Sequence, residues 1–184
     1  MFRNAALLPF SAQRTLACAL LLSALSLNAQ NNMNPTIATE VKQNYARTKD
    51  LILRAASKMP DDGYSLKPTS EVRTFAQVVG HISEAQAMVC GGIAGMPTRV
   101  DTTKTAKADV MVELTKSFSV CDKAYDLISD SNIAQVGGAG FMGGTMVGRL
   151  YGNLIHDNEM YGTMVVYLRL KGIVPPSSEG RGGR

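Results

Sequence analysis

The chain has 184 residues, a formal net charge of +4, 45% hydrophobic and 6% aromatic residues and no tryptophan, which suits one globular domain rather than a fibrous or disordered polymer. Its positive charges form no stripe interleaved with aromatics, so nucleic-acid binding has no electrostatic support. No apolar run reaches the ~20 residues that a membrane helix needs, so no membrane span is expected in the mature chain.

Arg3 and Arg14 accompany a short apolar run from Leu16 to Leu27, followed by Asn28-Ala29-Gln30. This pattern predicts a secretory signal peptide over residues 1–29, cleaved near Ala29. The expectation is an exported protein, periplasmic or secreted. An uncleaved anchor or a disordered extension is the alternative. Cys18 lies inside the apolar run rather than after it, which argues against an acyl-anchored lipoprotein. Losing Arg3 and Arg14 lowers the formal charge from +4 to +2. Arg181 and Arg184 lie in a Gly/Arg tail over residues 179–184, so the domain proper, residues 30–178, is nearly neutral.

Four helical segments follow. The first opens with Asn34 as N-cap and Pro35 at the first helical position, carries Ile37, Val41, Tyr45, Thr48, Ile52 and Ala55 on one face, and stops at Met59-Pro60. Tyr64, Leu66 and Pro68 belong to an irregular stretch. The second opens with Thr74 and Gln77 in capping-box spacing, runs through Val78, Ile82, Ala85, Val89 and Ile93, and is ended by Gly91, Gly92, Gly95 and Pro97. The third runs from about Thr105 to Ile128, with Val110, Leu114, Phe118, Cys121 and Tyr125 on its apolar face. A glycine-rich loop, Ser129 to Met142, leads into the last helix, from about Gly143 to Lys171. Gly144, Gly148, Gly152 and Gly162 recur there, and such a cost in helix propensity is usually offset by close approach to a neighbouring helix. With no period-2 alternation and no repeat, the architecture is an all-α four-helix bundle with long connections.

The chemistry-bearing residues are few. His81 and His156 are the only histidines, each in the middle of a helical segment, and two imidazoles on two helices can converge on one metal ion. A third ligand belongs one turn after His156, where the chain has Met160. On a helical wheel of about 100° per residue, Arg149, Gly152, Met160, Thr163 and Tyr167 share the His156 face, and Val147, Leu154, Tyr161 and Val165 lie opposite. Such a semi-polar stripe fits a cleft lining or a solvated face. After cleavage two cysteines remain, Cys90 and Cys121, which either bridge two helices or stay as buried thiols. On consecutive helices they are expected to lie close enough to bridge in an oxidising compartment, although Cys90 falls about 100° from the centre of its helix's apolar face, an orientation that could point it away from Cys121.

Four matches occur in order: Met59-Pro60-Asp61-Asp62-Gly63-Tyr64-Ser65-Leu66-Lys67-Pro68-Thr69; Val72-Arg73-Thr74-Phe75 leading to Gly80-His81-Ile82; Ser117-Phe118 with Cys121-Asp122; and the stretch from His156 to Pro176. Together they resemble the DinB-like family over residues 36–178. The resemblance implies a four-helix bundle of unusual connectivity, often a homodimer, with a divalent metal of the zinc, nickel or manganese class held by three histidines. His81 and His156 correspond to two of them, and the third falls on Met160. A thioether is a soft ligand that suits copper(I) better than those metals, so Glu84 and Glu159, each three residues after a histidine, are the alternative donors.

Two function classes follow from the resemblance. One is a metal-dependent transferase or hydrolase acting on an unknown small molecule, with the metal activating a thiol or water. The other is a non-catalytic exported bundle that binds a ligand or protein through the inherited cleft after losing the metal. Export argues against the family's thiol-transfer activity, whose low-molecular-weight thiols belong to the cytosol. No nucleophile elbow, phosphate-cradling loop or Cys-x-x-Cys pair is present.

Overall fold

The computed structural model describes residues 35–136 and 144–180. The expected signal peptide, the Asn34 cap, Gly137, Gly138 and Gly140 and the last four residues lie outside these. Helix α1 spans Ile37–Lys58, α2 Phe75–Ala94, α3 Lys107–Asp126 and α4 Met146–Leu170, with short 3-10 turns at Asp61–Ser65 and Pro176–Ser178. Among the described residues the only strand-like pairing is one isolated bridge, Val136 with Thr145. The fold is the expected all-α bundle.

Each helix forms where its apolar positions recur at three and four residues. On α1 the buried set is Ala38, Val41, Tyr45, Thr48, Ile52, Ala55 and Ala56, and the Asp130 carboxylate accepts the Ala38 N–H of the first turn at 3.3 Å. The capping box of α2 is complete: the Thr74 hydroxyl accepts from the Gln77 N–H, and the Gln77 side chain accepts from the Thr74 N–H. Such a cap is worth about 1 kcal/mol. Helix α2 does not stop at Gly91 and Gly92 but runs to Ala94, because the chain turns only at Gly95, in the left-handed conformation at φ 65°. Gly91 serves that turn differently. Its carbonyl accepts the Met96 N–H at 2.9 Å, and a Cβ there would meet the Met96 carbonyl oxygen at 2.9 Å. Thr145 caps α4 by accepting the Gly148 N–H.

The helices form a ring in which α1 packs on α4 and α3, and α2 packs on α3 and α4. The α1–α2 and α3–α4 connections therefore cross the bundle diagonally, and only α2 and α3 are neighbours both in sequence and in space. The core between α1 and α3 is aromatic. Tyr45 stacks on Tyr125 with centroids 3.8 Å apart and tilts against Phe118. The Tyr45 hydroxyl donates to Asp122 at 2.8 Å and that of Tyr125 to the Leu150 carbonyl at 2.8 Å. Glu179, assigned to the tail by sequence, lies against α1 and pairs with Arg54 and Lys58.

The recurring glycines of α4 do not follow the expected rule. Among the described residues a Cβ at Gly152 or Gly162 would meet nothing within 4 Å, so close approach to a described neighbour does not account for them.

Candidate functional site

The site lies on the seam where α2 meets α4. His81, one turn and a half into α2, and His156, near the middle of α4, point their rings at each other with Nε2 atoms 3.3 Å apart and ring planes inclined at 74°. Both imidazoles are partly buried. Burial pushes the His81 pKa down, and Arg73 and His156 push the same way while Glu84 opposes them.

Behind His156 lies a polar cluster that the sequence reading passed over. Asp157 is fully buried, its Oδ2 accepting from Gln86 Nε2 at 2.6 Å and from Asn153 Nδ2 at 3.2 Å. Among the described residues its other oxygen, Oδ1, has no hydrogen-bond partner, and neither has the buried His156 Nδ1; these two atoms face each other at 3.8 Å. Desolvation raises the Asp157 pKa, with His156 and Gln86 opposing. The signal for this cluster was available: Ser83, Gln86 and Cys90 on α2, and Asn153 and Asp157 on α4, keep core spacing.

On the far side of Gln86 the structure joins Cys90 to Cys121, with Cα atoms 4.8 Å apart. The bridge is the expected one, and the offset of Cys90 on the wheel does not keep it from Cys121: both residues are fully buried between α2 and α3. The Gln86 Oε1 atom lies against the Cys121 sulfur.

The three proposed extra donors are distributed differently. Glu84 is exposed and shares a small polar depression with His81, Arg73, Gln77 and Thr102. Glu159 is exposed and lines neither this depression nor the cleft beside it. Met160 lines that cleft, a cavity of about 740 Å³ walled by Pro68, Val72, Val78 and Tyr167, with Arg73 at the border with the depression. The Tyr167 hydroxyl donates to the Arg73 carbonyl and ties the cleft wall to the start of α2. Tyr167 is buried and Met160 packs on the core, so the His156 stripe of α4 is a cleft lining at this end and not a solvated face.

Two nitrogens each about 2.0–2.1 Å from a tetrahedral ion lie about 3.3 Å apart, which is the separation of this pair. A carboxylate behind a metal-bound imidazole is the usual outer partner, and the unpartnered His156 Nδ1 and Asp157 Oδ1 stand in that relation. Among the described residues, however, no three His, Cys, Asp or Glu side chains converge as a metal-holding group. The residues fit an ion gripped by two imidazoles; they do not reproduce a three-histidine set.

A bundle with two diagonal crossovers and a histidine pair between its second and fourth helices defines a class of protein. Residues 44–158 match the family model of the DinB superfamily, and the chain belongs to that superfamily. In structure it is similar to a DinB-like protein from Bacillus cereus at 17% identity and a TM-score of 0.63, over 78% of this chain and 98% of that one. It is also similar to a DinB-like protein from Bacillus subtilis at 15% identity and a TM-score of 0.58, over 73% and 94%. A conserved protein from Enterococcus faecalis matches at 12% identity and a TM-score of 0.57, over 74% and 98%. At these identities the likeness shows the fold alone. No curated protein matches the chain.

Proposed function

We propose that this DinB-superfamily bundle is an exported protein that binds a small molecule in the α2–α4 cleft, beside a divalent ion held weakly by His81 and His156. The observation that supports the ion is the 3.3 Å separation of the two Nε2 atoms, with the Asp157 carboxylate behind one of them. A bound ion of the zinc class would supply Lewis-acid activation of a thiol or water, the chemistry of a transferase or hydrolase. The chain's own residues have separate tasks. Asp157 orients His156, Arg73 offers a guanidinium for an anionic group of the ligand, and Met160 with Val78 and Tyr167 gives the ligand an apolar wall.

The second reading is a binding bundle without metal, and Met160 favours it. A residue that lines an apolar cleft serves ligand packing better than coordination of a zinc-class ion. Export is proposed from the leader pattern, and a homodimer from the family. Protein recovered from the periplasm without chelator tests the first reading directly: its intact mass reports cleavage near Ala29, and its metal content reports the ion.

Calorimetric titration with zinc separates the two readings. The unmodified protein should bind weakly, and Met160→His, which places an imidazole one turn from His156, should bind at least about tenfold more tightly, since most such sites use three protein ligands. Glu84→Ala and Glu159→Ala ask whether a carboxylate already serves as the third donor. If no variant takes up zinc, the pair is not a metal site and the metal-free binding bundle stands.

A further inference from the structure

We propose that Gln86 and Asp157 are positioning residues that connect the Cys90–Cys121 disulfide to His156, so that opening the bridge changes the orientation of the histidine pair and what it binds. The inference rests on the reading that the pair is a binding site, and its test is built to fail separately from that reading.

The connection is buried from the bridge to Asp157, and its step to His156 is a close approach rather than a hydrogen bond. The bridge, Gln86 and Asp157 have no exposed surface, so water cannot take over any of their hydrogen bonds. The Gln86 carboxamide touches the Cys121 sulfur through Oε1, lies 3.9 Å from the Cys90 sulfur, and donates through Nε2 to Asp157 Oδ2 at 2.6 Å. Asp157 Oδ1 then faces His156 Nδ1 at 3.8 Å, and His156 Nε2 faces His81 Nε2 at 3.3 Å. A bridged sulfur carries no proton, so in the oxidised protein Gln86 Oε1 has no S–H to accept from and the amide is held from its Nε2 end alone.

Reduction by a small dithiol, reaching the sulfurs during a local opening of α2 from α3, delivers two electrons and two protons. The S–S bond breaks, Cys90 and Cys121 each leave with one S–H, and the reductant departs as its own disulfide. Gln86 Oε1 then has two thiol donors within reach. An amide held from both ends takes a different orientation from one held only by Asp157, and the Nε2–H···Oδ2 bond turns with it. The Asp157 carboxylate follows, because only Gln86 and Asn153 fix it. Its free oxygen is the group that faces His156 Nδ1, so the imidazole is re-aimed. The bridge also pins α2, which carries His81 and Gln86, to α3, so both histidines lie downstream of it. Outer partners of this kind govern metal affinity by about 10–100-fold.

The test uses full mature protein, with imidazole nitrogen chemical shifts of His156 and His81 read at one fixed pH and zinc titrated separately. The reductant is removed anaerobically before measurement. The expected result is a change in the His156 Nδ1 and Nε2 shifts on reduction, a fall of about tenfold in zinc affinity, and loss of both responses in Gln86→Leu, which keeps the bridge but cuts the connection. Unchanged His156 shifts on reduction overturn the proposal. So does a response of equal size in Gln86→Leu, since the bridge would then act through the packing of α2 on α3. If zinc does not bind in either state, the metal reading fails while the shifts still decide the connection. If the reduced chain loses its helical dichroism, Gln86→Leu with the bridge intact carries the test, and it must alter the His156 shifts.

Discussion

The α1–α3 seam and the α2–α4 seam are built from the same kind of helix, yet they handle buried polar groups in opposite ways. On the first, Tyr45 and Tyr125 stack as apolar plates, and each hydroxyl has a partner, Asp122 for one and the Leu150 carbonyl for the other. Lys49 also pairs with Asp122, so the charge at that edge is matched. On the second, His156 Nδ1, Asp157 Oδ1 and Asn153 Oδ1 are buried without partners among the described residues. An unsatisfied buried polar group costs about 1–3 kcal/mol, and a seam selected only for packing does not keep several. The aromatic seam holds the bundle together. The polar seam keeps unpaired buried groups at the expense of stability.

The largest effect should come from breaking the aromatic seam. Phe118 is fully buried against Tyr45, and Phe118→Ala should cost about 3–5 kcal/mol in denaturant unfolding. The histidine pair lies on the other seam, so zinc affinity of the folded fraction should not change. A loss under about 1 kcal/mol would mean that the two seams share the burden evenly.

Asp157→Asn should act with the opposite sign. Burial holds the Asp157 carboxyl above the ordinary carboxylate range, so the folded chain binds its proton more tightly than the unfolded chain. The stability it contributes is complete below the unfolded pKa and is lost as pH rises through the raised folded value. At neutral pH the substitution should therefore stabilise the protein, by about 1–2 kcal/mol, and the gain should disappear towards about pH 4. Thermal melts at the two pH values check this. A destabilisation at neutral pH would show that His156 already compensates the charge.

The smallest effect concerns the border between cleft and core. Tyr167→Phe removes the hydrogen bond to the Arg73 carbonyl and should cost about 0.5–1.5 kcal/mol. Because Tyr167 also walls the cleft, binding of an apolar probe dye there should weaken, whereas Phe118→Ala should leave it alone.

The fold was legible because helical spacing is a local property. Val110, Leu114, Phe118 and Cys121 mark their face without reference to any other helix, and Thr74 with Gln77 announces a helix start within four residues. The end of α2 at Gly95 was legible, whereas Gly91 and Gly92, which look like breakers in sequence, lie inside the helix. Whether a glycine ends a helix depends on the turn beyond it, here Gly95 and Met96. At the site, His81 and His156 could be paired from rarity and from the family resemblance. Asp157 keeps core spacing with Asn153 on α4, yet a charged residue beside a histidine reads as solvated until its partner Gln86, on another helix, is known.

The ring order of the helices has a consequence for how the chain assembles. Contacts close in sequence form soonest during folding, since little loop entropy opposes them. In this bundle α2 and α3 make the one such pairing, and Cys90 and Cys121 sit inside it. The cleft needs α2 and α4, which meet only after a diagonal crossover from α3. A nascent chain therefore brings its cysteines side by side before its histidines, on a hairpin that has yet to meet α4.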